Sequence, residues 1–172
     1  MAVPSGGAQP GDAQANGAHT VLIVDDSPEL LEFITDALRE LGDYTVVTAG
    51  DGVEALHCFE TSRPDCLVID VRMPRLNGYQ LVRALRGDPT SASTPLVMLS
   101  AMAQDRDQLA GLLAGADQYL LKPVDPLALV EAIERAIRLG AEERAARMLR
   151  LAAADGEGDA LAVSSGSRRT AP

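Results

Sequence analysis

Five short apolar runs alternate with longer segments of helical periodicity along most of the chain. The runs are rich in Val, Ile and Leu and lack the strict alternation of a half-exposed strand, so they are typical of parallel strands covered on both faces. We predict these strands at Thr20–Asp25, Thr45–Ala49, Asp65–Asp70, Leu96–Ser100 and Gln118–Leu121.

The intervening segments place apolar residues three and four positions apart, which is the spacing of one helix face. The first is the clearest, because Ser27 provides an N-cap, Pro28 occupies the first turn and Gly42 follows the last apolar position. The fourth is the weakest, since Gly111 and Gly115 lower its helix propensity. The five predicted helices are Pro28–Leu41, Val53–Thr61, Tyr79–Arg86, Asp105–Leu113 and Pro126–Leu139.

Five strand–helix pairs predict an α/β fold, a doubly wound parallel sheet with helices on both faces and right-handed crossovers. In such sheets, ligands bind beyond the carboxyl ends of the strands. The two ends of the chain are rich in small and polar residues and cannot bury enough apolar surface to become ordered. We therefore predict disordered segments at residues 1–18 and 155–172, a folded domain at residues 19–140 and a helical extension at residues 141–154.

Composition narrows the functional classes. The chain has 172 residues, and its 15 basic and 25 acidic side chains give a formal net charge of -10, which opposes binding to phosphate backbones and anionic lipid. No apolar run approaches the roughly 18 residues of a membrane span, and the first residues do not resemble a secretory signal. We expect a cytoplasmic protein without direct nucleic-acid or membrane contacts, in which Cys58 and Cys66 are reduced core residues.

Acidic and polar side chains follow four of the predicted strands, and they should meet at one edge of the sheet. Three carboxylates within a few Å repel one another by roughly 4 kcal/mol per close pair at an effective dielectric constant near 20, so a compensating cation is expected. Oxygen ligands without His or Cys favour Mg2+, and three carboxylates, one Mg2+ and one lysine sum to zero charge. The set comprises Asp25, Asp26, Asp70, Ser100 and Lys122, which is the only lysine of the sequence.

The segment from about Thr20 to Gly140, roughly 70% of the chain, resembles the receiver domain of bacterial two-component response regulators. The resemblance implies a CheY-like, flavodoxin-like sheet with strand order 2-1-3-4-5. Its signatures occur in the family's order and at its spacing. They are VLIVDDS at residues 21–27, LVIDVRMPRLNG at residues 67–78, LSA at residues 99–101 and GADQYLLKP at residues 115–123.

By this resemblance, Asp70 accepts a phosphoryl group from a phosphohistidine of a sensor histidine kinase or of a histidine phosphotransfer protein. Lys122 would neutralise charge on the phosphoryl oxygens. The protein would be a phosphoacceptor that assists its own phosphorylation and dephosphorylation, and not an enzyme. Mg2+ would be held by Asp25, Asp26, Asp70 and the backbone carbonyl of Arg72.

The resemblance also implies a conformational switch. The Ser100 hydroxyl would hydrogen-bond a phosphoryl oxygen, and Tyr119 on the fifth strand would turn inward in response. The surface that changes would be the face formed by the fourth helix, the fifth strand and the fifth helix, to which a downstream protein target binds. A half-buried edge residue is the alternative interpretation of Tyr119.

About 32 residues follow Gly140, which is too short for a winged helix or an enzyme domain. We therefore expect a stand-alone receiver that acts through protein–protein contacts. The extension at residues 141–154 carries Met148, Leu149 and Leu151, which make it a candidate surface for docking or for a homodimer.

Two other functions compete with the phosphoacceptor. The first is a pseudo-receiver that docks partners and never carries phosphate. The second is a phosphatase of the haloacid-dehalogenase type, which needs an acid/base Asp two residues after its nucleophile, where this chain has Arg72. In the phosphoacceptor interpretation, Arg72 and Met102 flank the path of attacking water, and we expect both to affect dephosphorylation.

Overall fold

The apolar runs form a single five-stranded parallel sheet with the order β2-β1-β3-β4-β5. The computed structural model describes residues 19–101 and 114–140, together with residues 142–144, 146 and 149. The strands are β1 (His19–Val24), β2 (Tyr44–Ala49), β3 (Cys66–Asp70), β4 (Leu96–Ser100) and β5 (Gln118–Leu121). The described helices with assigned bounds are α1 (Pro28–Leu41), α2 (Gly52–Ser62), α3 (Gly78–Gly87) and α4 (Pro126–Arg138). The predicted fold class and strand order are confirmed.

The bounds of most elements match the predicted ones to within one residue. β1 ends at Val24 instead of Asp25, which places Asp25 just beyond the strand, and β3 begins at Cys66. The fourth predicted helix, Asp105–Leu113, lies outside the described residues, so α4 corresponds to the fifth predicted helix and ends at Arg138, one residue early. None of the helices in the described part of the chain is long and apolar enough to cross a membrane.

Two apolar layers bury the sheet on both faces, which explains why the strands read as continuous apolar runs. Every residue of β3 and of β4 is buried. On one face, Val21, Ile23, Val68 and Val97 pack with Ile34 of α1 and Ile133 of α4. On the other face, Leu22, Leu67, Ile69 and Met98 pack with Phe59 of α2 and Leu81 of α3.

The register of the sheet determines which residues meet at its carboxyl edge. Val24 of β1 is level with Ile69 of β3, so the next residues, Asp25 and Asp70, leave neighbouring strands side by side. A shift by one residue would exchange the buried faces of a strand, and burial on both sides therefore fixes this register.

Helix α3 begins directly against the end of β3 because Gly78 has no side chain. The Gly78 N–H donates a hydrogen bond to the carbonyl of Val71 at 3.0 Å. A Cβ atom at Gly78 would overlap the carbonyl oxygen of Asp70 and crowd the Val71 Cα. The missing side chain thus allows α3 to pack against the strand end that carries Asp70.

We expect Gly78→Ala to destabilise the protein by about 2 kcal/mol or more, because the overlap is with backbone that cannot move aside. Gly87→Ala is the matched control in the same helix, since a Cβ there meets no atom within 4 Å. Alanine at position 87 should be neutral or stabilise by up to about 1 kcal/mol through its helix propensity. Urea unfolding midpoints measure both changes, and equal midpoints for the two variants would contradict the packing argument.

Candidate functional site

One ammonium group joins two buried carboxylates at the carboxyl edge of the sheet. Lys122 Nζ lies 2.6 Å from Asp25 Oδ2 and 2.6 Å from Asp70 Oδ1. Asp25 is completely buried and Asp70 is only 4% exposed. Because two like charges would repel at this depth, the lysine is the counterion that makes their proximity tolerable.

Backbone amides hold the other oxygen of each carboxylate. The Ser27 N–H donates to Asp25 Oδ1 at 2.9 Å, and the Arg72 N–H donates to Asp70 Oδ2 at 2.7 Å. Each carboxylate therefore uses one oxygen for the lysine and the other for the loop that follows its strand. Since both donors lie two residues after their acceptor, these bonds are built into the local turns.

Lys122 is positioned by the continuation of the β4–β5 pairing. Its backbone N–H donates to the carbonyl of Ser100 at 2.8 Å. The peptide bond between Lys122 and Pro123 is cis. The side chain of Lys122 is 23% exposed, so the ammonium is partly open to solvent while it contacts both buried carboxylates.

The electrostatics of the site favour a charged lysine. Burial alone would lower the pKa of Lys122, but its hydrogen bonds to Asp25 and Asp70 outweigh this effect and hold the pKa above its ordinary value. Burial is also the largest influence on Asp70, and together with the nearby charge of Asp25 it raises the pKa of that carboxyl, although the contact with Lys122 acts in the opposite direction. The surroundings thus disfavour the charged form of Asp70, whereas they favour the charged form of Lys122.

The paired groups open into a cavity of about 190 Å3. Its lining residues are Asp25, Asp26, Ser27, Asp70, Val71, Arg72, Ala101 and Lys122. The structure therefore brings five of the predicted site residues to one cavity, and only Ser100 and Tyr119 of the predicted set are not among its lining residues. Ser100 is buried, and its neighbour Ala101 reaches the cavity wall. Met102 lies outside the described residues.

The three carboxylates of the cavity differ in their exposure. Asp26 is exposed, and the described residues contain no ready-made group of three or more His, Cys, Asp and Glu side chains that could enclose a metal ion. The ammonium of Lys122 lies between the other two carboxylates and contacts both. The donor chemistry nevertheless fits Mg2+, because three carboxylates and one lysine leave a charge of -2 and supply oxygen ligands.

Tyr119 is half-buried on β5, and its ring packs against the apolar layer that contains α2 and α3. Its hydroxyl oxygen is buried and has no hydrogen-bond partner in the structure as described. An unpartnered buried hydroxyl carries a desolvation cost, so this side chain is held inward by packing and not by a polar contact.

One contact that sequence reasoning missed joins two loops beside the site. Arg75, which has a positive φ of 65°, pairs with Asp51, the N-cap of α2. A Cβ atom at Gly52 would lie 2.6 Å from the carbonyl oxygen of Leu76, so the loops also touch through their backbones. Nothing in the spacing of these residues signals the contact, because it joins segments that only the sheet topology brings together.

The raised pKa of Asp70 predicts that Asp70→Asn stabilises the metal-free protein at neutral pH. Asparagine keeps an oxygen acceptor for Lys122 and removes the buried charge. Unfolded Asp70 loses its proton near pH 4 or slightly below, whereas the folded protein loses it at higher pH. At low pH, the wild type therefore loses no stability to the buried charge of Asp70. It loses stability as the pH rises through the pKa that Asp70 has in the folded protein.

The measurement is urea unfolding in buffer with a metal chelator, and the advantage of Asp70→Asn should be larger at neutral pH than near pH 4. Asp43→Asn is the matched control, because Asp43 is exposed and its substitution should change stability only slightly. An Asp70→Asn variant less stable than the wild type at neutral pH would contradict the prediction.

Residues 21–134 match the response regulator receiver domain. Among curated proteins, the chain is 39% identical over 125 residues to the DNA-binding response regulator MtrA of Mycolicibacterium smegmatis, covering 73% of this chain and 53% of that protein. It is 38% identical over 135 residues to MtrA of Mycobacterium leprae, covering 78% of this chain and 58% of that protein. The chain therefore spans little more than half the length of these relatives.

Solved structures agree with the sequence comparison. The chemotaxis protein CheY4 of Vibrio cholerae superposes with a TM-score of 0.66 at 33% identity, covering 70% of this chain and 99% of that one. The receiver domain of sensor histidine kinase PA1611 from Pseudomonas aeruginosa gives 0.64 at 33% identity, covering 70% and 98%, and that structure has a magnesium ion coordinated in its active-site cleft. The family match and these likenesses agree with the fold, and the chain belongs to the receiver domain family of two-component response regulators.

Proposed function

We propose that Asp70 is a phosphoacceptor, which takes a phosphoryl group from the phosphohistidine of a sensor histidine kinase or of a histidine phosphotransfer protein. The observation that carries this proposal is the buried Asp70 carboxylate, 2.6 Å from Lys122 Nζ, at the wall of a cavity of about 190 Å3. A carboxylate whose charge is disfavoured by burial is well prepared for a reaction that converts it into an acyl phosphate, which is a mixed anhydride.

The transfer forms one bond and breaks one bond. An oxygen of Asp70 attacks phosphorus, the phosphorus–nitrogen bond of the phosphohistidine breaks, and its electron pair returns to the imidazole ring. Both oxygens of Asp70 already accept hydrogen bonds, from Lys122 and from the Arg72 N–H, so the carboxylate is oriented before the donor arrives. The ammonium of Lys122 can move from the carboxylate towards a phosphoryl oxygen because it is partly exposed.

The charge of the cavity supports a role for Mg2+ in this reaction. Asp25, Asp26 and Asp70, with the backbone carbonyl of Arg72, would hold the ion, and the three carboxylates outnumber the one lysine. When bound, Mg2+ supplies positive charge beside the phosphoryl oxygens. The buried Asp25 is anchored by the Ser27 N–H, so it can present its carboxylate without rearrangement of the loop.

The placement of Ser100 and Tyr119 supports a switch on the same side of the sheet. Ser100 ends β4 next to Ala101 of the cavity wall, and Tyr119 is level with Met98 on the adjacent strand. A phosphoryl group on Asp70 offers the Ser100 hydroxyl a new acceptor, and movement of the loop after β4 would change the packing around Tyr119. The surface of β5 and α4 would then present different contacts to a downstream protein.

Intact mass after incubation with acetyl phosphate and Mg2+ tests the phosphoacceptor proposal. We expect one phosphoryl group on the wild type and on the exposed-residue control Asp43→Asn, and none on Asp70→Asn. A chelator should abolish the addition in every variant, because the charge around the cavity is then uncompensated.

Phosphate on another residue of the wild type would contradict the assignment of Asp70. Absence of phosphate on every variant, together with no binding of beryllofluoride to the wild type, would favour the pseudo-receiver that only docks partners. Repeated turnover of phosphate esters would instead point to a phosphatase.

Tyr119 tests the switch separately from the chemistry. Tyr119→Phe should take up phosphate like the wild type and be at least as stable, because the lost hydroxyl has no hydrogen bond to lose. Tyr119→Ala should also take up phosphate but show smaller beryllofluoride-induced changes in the NMR amide shifts of β5 and α4. Tyr44→Ala, on the opposite edge strand β2, is the control that should keep the shift changes of β5. Loss of uptake in Tyr119→Phe, or unchanged shifts in Tyr119→Ala, would contradict this role.

A further inference from the structure

A second buried charge cluster lies at the opposite edge of the sheet, centred on Asp117. This residue directly precedes β5 and is 2% exposed. Its Oδ2 accepts hydrogen bonds from the Leu96 N–H at 2.8 Å and from Arg86 Nη2 at 3.0 Å. Its Oδ1 accepts from Arg144 Nε at 2.7 Å. One carboxylate thus binds the start of β4, an arginine of α3 and an arginine from beyond α4.

Arg144 uses all three of its side-chain nitrogens. Besides Nε, its Nη1 donates to the carbonyl of Ser93 at 2.8 Å, and its Nη2 donates to the carbonyls of Ala136 and Leu139, both at 2.9 Å. The side chain of Arg144 is 5% exposed. Every acceptor lies within residues 19–140, the part of the chain that the sequence predicts to be the folded domain.

The end of α4 makes this position favourable for a guanidinium group. The last carbonyls of a helix have no partner within the helix and carry partial negative charge. Ala136 is in the last turn of α4, which ends at Arg138, and Leu139 is its C-cap. A planar guanidinium can reach two such carbonyls, the Ser93 carbonyl and a carboxylate at once, whereas the compact ammonium of a lysine cannot.

The charge of the cluster requires these neutral acceptors. Arg86 and Arg144 bring two positive charges to the single carboxylate of Asp117, and Arg86 is itself largely buried, with hydrogen bonds to Gly115, Ala92 and Thr94. Burial, with the charge of Arg144 adding to it, lowers the pKa of Arg86, although Asp117 acts in the opposite direction. A second buried cation is tolerated only because backbone carbonyls surround it.

We propose that Asp117 and the carbonyls of Ser93, Ala136 and Leu139 form a guanidinium-binding socket, and that Arg144 is its ligand. The socket anchors the chain after α4 to the amino-terminal edge of β4 and β5. The described residues 142–144, 146 and 149 are helical, and α4 ends at Arg138, so this segment begins a new helical path instead of continuing α4. Arg144 lies in the helical extension predicted at residues 141–154, and its contacts tie that extension to the receiver.

The socket is separate from the site of phosphoryl transfer, because Asp117 directly precedes β5 whereas Lys122 directly follows it. It is tested in the full chain with Arg144→Ala, Arg144→Lys and the control Arg138→Ala. Arg138 is 71% exposed and pairs only with Glu134 of its own helix among the contacts the structure describes. Thermal unfolding and amide hydrogen exchange, read by mass spectrometry over residues 136–149, are the measurements.

We expect Arg144→Ala to lower the melting temperature by roughly 6 °C or more, because it leaves Asp117 and three carbonyls with lost partners. Exchange over residues 136–149 should become faster in both Arg144 variants. Arg144→Lys should recover at most part of the melting temperature that Arg144→Ala loses. Arg138→Ala should resemble the wild type in both measurements. Arg144→Ala with wild-type exchange, or Arg144→Lys indistinguishable from the wild type, would overturn the proposal.

Chemical rescue separates a guanidinium site from a general packing defect. Millimolar guanidinium chloride, far below denaturing concentrations, should raise the melting temperature of Arg144→Ala and leave that of Arg138→Ala unchanged. Methylammonium chloride at the same concentration controls for ionic strength and for charge without the planar fork. Equal effects of the two salts on Arg144→Ala would overturn the claim that the socket recognises guanidinium. If Arg144→Ala does not fold, the exchange data for Arg144→Lys decide the question.

Discussion

The contact of Lys122 with the buried Asp25 and Asp70 is the interaction on which the charged cavity of this receiver depends. Asp25 and Asp70 leave neighbouring strands side by side, and without a cation between them their charges would repel in a poorly solvated place. Lys122 Nζ, at 2.6 Å from both, removes that conflict while remaining partly open to solvent. A counterion that pairs with two buried carboxylates and is still partly exposed is well placed to stabilise charge on a phosphoryl group in the proposed reaction. The same contact thus serves the stability of the resting protein and the proposed chemistry.

Burial of both sheet faces brings the side chains of Asp25, Asp70 and Lys122 to one place. Because β3 and β4 are buried throughout, the register of the sheet is fixed, and the residues just past each strand are brought to a common edge. Loop amides two residues beyond Asp25 and Asp70 then orient the carboxylates, and Gly78 lets α3 begin against the end of β3. The site is therefore a product of strand packing more than of loop structure.

Strand β5 connects the two charged regions of the molecule. Lys122, just beyond its carboxyl end, belongs to the cavity, and Asp117, just before its first residue, holds Arg86 and Arg144. At the cavity, one cation pairs with two carboxylates. At the socket, one carboxylate pairs with two cations, and backbone carbonyls accept the other hydrogen bonds of the two arginines. The first arrangement leaves negative charge available for a metal ion. The second is saturated with hydrogen bonds and suits a fixed anchor for the chain after α4.

The sequence by itself determined the fold class, the strand order through its family likeness, and four of the cavity side chains, Asp25, Asp26, Asp70 and Lys122. It could do so because strand runs and strand-end motifs are local, and parallel strands necessarily end at one edge. The tertiary structure decided how the carboxylates are paired, since Lys122 contacts the buried Asp25 and Asp70 while Asp26 is exposed. It also decided the contacts of Arg144, which in the sequence is one residue of the helical extension predicted at residues 141–154. Its acceptors are brought together from three separate segments, and a contact of that kind has no periodicity or spacing along the chain.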